Sequence, residues 1–217
     1  MRKKVLISVP NTGWVHKAVC FVTDRLLIDG RYDVTIIRPT HNPLENNLHH
    51  IINDFMAGDY LYWLSIDSDN PPMNNPLDLI ELDLDIIGLP TPVWHFTNKI
   101  KGERPVYWNG YKWNEKEQGY NEWAIKEGLQ EVDATGMGCF LINRRVFNHP
   151  DMRKAPFQRT WHEDGTVEFG NDISFCRKAK KNGFKIHCHY NYTCDHMNEL
   201  PLNDVVRAIK GMTNGIN

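Results

Sequence analysis

The chain has 217 residues, 41% of them hydrophobic, with 25 Lys plus Arg against 27 Asp plus Glu and a formal net charge of -2. That composition predicts one packed domain spanning residues 1–217 and excludes a disordered chain. The charge balance weighs against a protein held on nucleic acid by bulk charge, although it leaves room for a local basic patch. No run of eighteen apolar residues occurs, so no transmembrane helix is expected. The apolar stretch after Met1-Arg2-Lys3-Lys4 is short and lacks a small-residue cleavage site, so a buried first strand explains it better than a signal peptide. Five scattered cysteines (Cys20, Cys139, Cys176, Cys188, Cys194) without CxxC spacing predict free thiols in a reducing cytosol.

Val5–Val9 reads as a buried strand, and Pro10-Asn11-Thr12-Gly13 as a loop in which Thr12 is placed to cap the next helix. Val15, Ala18, Val19, Val22 and Leu26 recur on one face of that helix, and Asp29-Gly30 ends it. Tyr32–Ile37 is a second strand, Pro43–Met56 a second helix, and Tyr60–Ile66 a third strand. The βαβ opening predicts parallel strands. Leu77–Leu82 suggests a short helix and Asp85–Pro90 a fourth strand. Between Thr91 and Glu131 periodicity fades, and aromatic residues such as Trp94, Phe96, Trp108, Trp113 and Trp123 alternate with Gly and Pro, which reads as hairpins and loops over one end of the sheet. Cys139–Ile142 is a strand, Ile173–Lys181 a helix stopped by Asn182-Gly183, and Phe184–Tyr190 a strand. Leu202–Lys210 has helical character.

Four features carry chemistry. Asp67-Ser68-Asp69 follows an apolar strand, where open α/β sheets bind ligands. Two carboxylates one residue apart repel, and a divalent cation such as Mg²⁺ or Mn²⁺ relieves that; the plain alternative is a turn. His196, after the last strand, is a surface or packed residue on its own, or one imidazole beside oxygen ligands. Asn171 and Asp172 at a helix start are either N-caps or, for Asp172, a general base aimed into a cleft. Gly136-Met137-Gly138 allows close backbone approach to a ligand. It precedes a strand, so it is not a Rossmann fingerprint, and no Walker A pattern exists.

In order, these pieces resemble the GT-A fold glycosyltransferases, in the broad neighbourhood of family 2. The resemblance rests on a first strand running into Pro10-Asn11, the DxD of Asp67-Ser68-Asp69, Thr135–Ile142, Asn171–Ala179, Gly183–Ile186 and His196, and covers about Val5 to Met197. It implies an α/β Rossmann-like domain with a central, mostly parallel mixed sheet flanked by helices. Residues 1–90 would form the nucleotide-sugar half and residues 91–217 the acceptor half. The implied activity is metal-dependent transfer of a sugar from a nucleotide diphosphate donor, with a UDP-sugar foremost, to an acceptor hydroxyl. Asp69 and His196 would hold Mn²⁺ or Mg²⁺, with Asp67 at the ribose or the metal shell. Pro10 and Asn11 would lie by the base, and Ser68 would share the donor site. Asp172 would be the base of an inverting reaction, or would position the acceptor in a retaining one. Gly136, Met137, Gly138 and Asn171 would border the acceptor, as would Trp108 and Trp113, although most of the tryptophans are read as filling a small core.

The chain departs from the family pattern in three places. Asn171 stands where a second acid is common. Ile37-Arg38-Pro39 lacks the acid that holds uracil, and no QxxRW-type motif is present, which disfavours a polysaccharide synthase. Two other readings stay open. One is a nucleotidyltransferase or phosphohydrolase using the same DxD; a haloacid dehalogenase-type phosphatase would need a nucleophilic Asp where Pro10-Asn11 stands. The other is a non-enzymatic carbohydrate-binding module. Arg177, Lys178, Lys180 and Lys181 read as a solvated helix face.

Overall fold

A computed structural model describes residues 2–94 and 106–197. The expectations at Phe96 and at Leu202–Lys210 lie outside the described residues. The first half alternates as the apolar spacing predicts: β1 (Lys4–Ser8), α1 (Lys17–Leu27), β2 (Asp33–Ile37), α2 (Leu44–Ala57) and β3 (Tyr62–Ile66). A 3-10 helix at Pro76–Leu82, whose first turn is capped by Asn75, leads to β4 (Ile86–Gly88). The aromatic stretch forms β5 (Pro92–Trp94), β6 (Val106–Trp108), β7 (Gly110–Asn114), β8 (Gly119–Glu122), β9 (Leu129–Val132) and β10 (Ala134–Thr135). Then come β11 (Cys139–Asn143), α3 (Arg144–Asn148), α4 (Pro150–Arg153), β12 (Thr160–Trp161), β13 (Val167–Phe169), α5 (Asn171–Lys181) and β14 (Ile186–His189).

The main sheet has seven strands in the order β2-β1-β3-β11-β4-β14-β9. β11 lies antiparallel between β3 and β4, and β9 pairs antiparallel with β14; the other five strands run one way. The sheet is therefore mixed and flanked by helices. Strand alternation sends Leu6, Trp63, Phe140 and Ile142 to one face, where Leu48, Ile51, Phe55 and Phe175 from α2 and α5 cover them. Val5, Ile7, Leu64 and Leu141 point to the other face, against Val19 and Leu26 of α1 and Leu77 and Ile80 of the 3-10 helix. Within the sheet, Trp63 Nε1 donates to Ser8 Oγ at 2.7 Å, which satisfies the indole of a fully buried ring.

Three local departures have physical causes. Thr12 does not cap α1. Residues 11–13 form a tight turn in which the Gly13 N–H donates to Asn11 Oδ1 and Gly13 sits at φ +105°. The chain then crosses to the DxD loop, where the His16 N–H donates to the Ser68 carbonyl, and His16 Nδ1 accepts the Ala18 N–H as the cap. The face of α5 is more than a solvated surface: the Arg177 guanidinium lies 4.4 Å from the Phe169 ring centre and Lys180 pairs with Asp133. Residues 144–169, between the expected strand at Cys139–Ile142 and the expected helix at Ile173–Lys181, carry α3, α4 and a hairpin. There the Arg144 guanidinium donates to the carbonyls of Phe55, Met56, Gly58 and Tyr60 at 2.8–3.0 Å, closing the C-terminal end of α2. Arg144→Ala is expected to cost about 2–4 kcal/mol, because it strands several carbonyls at once. Thermal melts should show a loss of about 5–10 °C, and Arg144→Lys, a point donor rather than a fork, should recover less than half of it.

Candidate functional site

The DxD loop begins where β3 ends. Asp67 continues the strand for one more bond, its N–H donating to the Gly138 carbonyl at 2.8 Å, and the chain then turns, with the Asn70 N–H on the Asp67 carbonyl at 3.2 Å. The turn reading of the sequence is thus correct as local structure, and it aims both carboxylates off the carboxyl edge of the sheet. Pro10, Asn11, Asp67, Ser68 and Asp69 all line one open cleft of about 210 Å³, together with His41 and Asn42 of the β2–α2 connection and Leu44 and Asn47 of α2.

His196 arrives from the other end of the chain. Residues 193–197 run along residues 69–73: Met73 N–H to Thr193 O at 2.9 Å, Asp195 N–H to Pro71 O at 3.1 Å and Met197 N–H to Asp69 O at 2.8 Å, with Pro72 bridged to Cys194. The Asn70 side chain, 4% exposed, adds a bond from Nδ2 to the Asp195 carbonyl at 3.2 Å. His196 Nδ1 lies 2.9 Å from the Pro92 carbonyl, which can only accept, so Nδ1 carries the proton and Nε2 presents its lone pair to Asp69 Oδ2 at 3.5 Å. Two acceptors facing each other at that distance need a proton or a cation between them. The hydrogen bond to Asp69 raises the His196 pKa above its ordinary value.

Asp172 completes the acidic group. Gly170 is the N-cap of α5 and has no side chain to bond. Asp172 Oδ1 accepts the Ile173 N–H at 2.8 Å, and a Cβ on Gly170 would sit 2.9 Å from that oxygen. Burial raises the Asp172 pKa. Asp67 is pushed up to about 8 by burial and then by the charges of Asp69 and Asp172, so the three carboxylates share one region.

The expected acceptor residues fall in different surroundings. A Cβ on Gly138 would meet Thr91 Oγ1 at 2.7 Å and one on Gly136 would meet Asn109 Nδ2 at 2.4 Å, so both glycines already admit close protein neighbours. Met137 packs against the core. Asn171 Oδ1 accepts the Asp172 N–H at 3.0 Å, while its Nδ2 is buried without a partner. Trp108 pairs in register with Pro92, whose carbonyl holds His196. Trp113 is farther along β7, edge-on to Tyr120 at 5.1 Å and under Arg177. Sequence reasoning passed over Asn70 and Asn109. Asn109, 5% exposed, accepts the Thr91 N–H through Oδ1 at 2.8 Å and the Gly136 N–H through its carbonyl, tying the β4–β5 turn to the β10–β11 turn.

Among the described residues no three His, Cys, Asp or Glu side chains form a ready metal cage. The donor set nevertheless fits a hard divalent cation that takes its other ligands from a diphosphate and water: one carboxylate oxygen, one imidazole nitrogen, and an Nδ1–H···O=C bond fixing the ring.

No protein family and no curated protein matches the chain. Solved structures do. A197 from STIV is 15% identical, with a TM-score of 0.59 over 92% of this chain and 87% of that one. GalNAc-T7, solved with UDP, GalNAc and Mn²⁺, is 12% identical, with a TM-score of 0.53 over 92% of this chain and 43% of that one. The likeness establishes the fold: this chain has a GT-A-like fold. No helix among the described residues is long and apolar enough to cross a membrane.

Because the Asp67 pKa lies above its ordinary 3.8, the folded protein holds a proton that the unfolded chain has released, and stability falls as pH rises from about 4 to about 8. Asp67→Asn removes that penalty. In EDTA at pH 8 the variant should melt about 3–6 °C above wild type, and the gain should vanish near pH 4.

Proposed function

We propose that the protein is a glycosyltransferase that moves a sugar from a nucleotide diphosphate donor, a UDP-sugar foremost, to an acceptor hydroxyl. Residues 1–90 form the donor half and residues 91–217 the acceptor half. The observation that carries this reading is His196 Nε2 facing Asp69 Oδ2 across 3.5 Å, with Asp69 lining a cleft together with Pro10, Asn11, Asp67 and Ser68. A binding module has no use for a fixed imidazole and three converging carboxylates.

Asp69 and His196 are the residues that would hold Mn²⁺ or Mg²⁺. A cation bound there supplies Lewis-acid stabilisation of the diphosphate leaving group. Asp67 contacts the ribose or the metal shell, and the loop of Pro10 and Asn11 borders the base. Asp172 takes the proton of the acceptor hydroxyl as that oxygen attacks the anomeric carbon and the bond to the diphosphate breaks. The burial that raises its pKa makes it a stronger base than an exposed aspartate. Trp108, beside Pro92, is better placed to meet an acceptor near the reacting centre than Trp113.

Calorimetric titration of UDP and GDP, with Mn²⁺ and then with EDTA, tests the donor site. One nucleotide should bind only with Mn²⁺, and Asp69→Ala should abolish binding. Binding indifferent to both EDTA and Asp69→Ala would overturn the reading. Asp172→Asn should keep nucleotide affinity and slow transfer, or hydrolysis of the donor with water as acceptor, by about 10²–10⁴-fold in a product assay.

A further inference from the structure

The outer face of α1 carries apolar side chains that the described residues leave open. Val19, Thr23 and Leu26 are the buried residues of this helix. On a 3.6-residue period Lys17, Phe21, Asp24 and Ile28 lie on the opposite face. Phe21 is 66% exposed and Ile28 80%. Trp14, seven residues before Phe21, is 51% exposed ahead of the helix. Beside them Met73, 65% exposed, lines a groove with Val22, Arg25 and Leu26. At about 200 Å² for a whole large side chain, these four residues expose about 500 Å² of apolar surface. On a single domain that is the scale of a functional patch. None of them lines the cleft at the DxD.

The charges on this face point to one occupant. Lys17 is four residues before Phe21 and Asp24 three after it. On a helix they stand about 6 Å below and about 4.5 Å above Phe21, about 40° and about 60° to the same side of it. A twofold axis at Phe21 that sets a second α1 antiparallel to the first keeps that side and reverses the height. It therefore brings Lys17 of each copy to Asp24 of the other. The same operation sets Phe21 against Phe21, and Trp14 against Arg25 and Ile28. A parallel pair would face Lys17 with Lys17 and Asp24 with Asp24. Both groups are exposed, and Arg38 stands 3.8 Å from the Asp24 carboxylate.

We propose that this face binds a second copy of the chain, the two α1 helices packing antiparallel about a twofold axis at Phe21. The apolar core of the interface is Phe21, Ile28, Trp14 and Met73, and two symmetric Lys17–Asp24 pairs set its register. With its polar rim the contact closes about 500–800 Å² per copy, at or just below the size of a standard interface. Buried area of that order gives a dimer that dissociates at about micromolar concentration. Because no residue of the interface lines the cleft, this inference stands or falls independently of the proposed function.

Sedimentation velocity of the full chain, from about 1 to about 200 µM, tests this. Wild type should pass from monomer to dimer across that range. Phe21→Glu, an exposed change that sets two carboxylates face to face, should stay monomeric throughout and melt at the wild-type temperature. Lys17→Asp should raise the dimer dissociation constant about 10–100-fold by facing Asp24 with a like charge, and Lys17→Asp combined with Asp24→Lys should restore it to within about threefold. A wild type that is monomeric at every concentration overturns the proposal. So does a dimer that survives Phe21→Glu, which puts the interface elsewhere, or a double exchange that dimerises as weakly as Lys17→Asp alone, which removes the antiparallel register. If Phe21→Glu does not fold, the wild type and the charge variants decide alone.

Discussion

The meeting of His196 and Asp69 depends on one stretch of backbone pairing, in which residues 193–197 lie along residues 69–73. Without it, His196 and Asp69 would be on separate loops of a long chain. The pairing is built to stop. Pro71 and Pro72 have no N–H to extend a ladder, and the Pro71 carbonyl accepts the Asp195 N–H of the incoming segment. Asn70 locks the crossing from below, and its burial against Gly138 and the Asp195 carbonyl explains why a glycine stands there. The Pro92 carbonyl then sets the imidazole, so a single ring orientation is imposed from two directions.

The electrostatics follow from this placement. Asp67, Asp69 and Asp172 are gathered with one histidine where burial disfavours charge, and the Asp67 and Asp172 pKa values rise. A protein selected for stability alone has no reason to collect such groups. Local rules broken at the end of an otherwise regular sheet are the mark of a site where binding and folding compete. The glycines at 136, 138 and 170 belong to the same design, each leaving space for a polar side chain that fixes a loop.

Much of this was legible in the sequence where information is local. Apolar spacing gave β1, α1, β2, α2, β3 and α5, and the DxD was visible because it directly follows an apolar strand. What stayed hidden is long-range. Nothing near Asn70 announces a partner 125 residues away, and nothing near Arg144 announces four carbonyls at the end of α2. Thr12 has the better side chain for a cap than His16, but the turn at Gly13 and the bond to Ser68 delay the helix. The insertion of β11 between β3 and β4 is equally unreadable from periodicity, which gives a strand but not its neighbours. Only the fold shows that Asn47, on α2, is buried with an unpaired amide oxygen.

The central claim is that His196 and Asp69 meet in order to hold a cation at a nucleotide diphosphate. Electron spin echo spectroscopy of the Mn²⁺–UDP complex tests it directly, because a directly coordinated imidazole nitrogen modulates the Mn²⁺ signal. The account predicts a nitrogen modulation in wild type that disappears in His196→Ala. A Mn²⁺–UDP complex showing no nitrogen coupling, or one whose coupling survives His196→Ala, would contradict it.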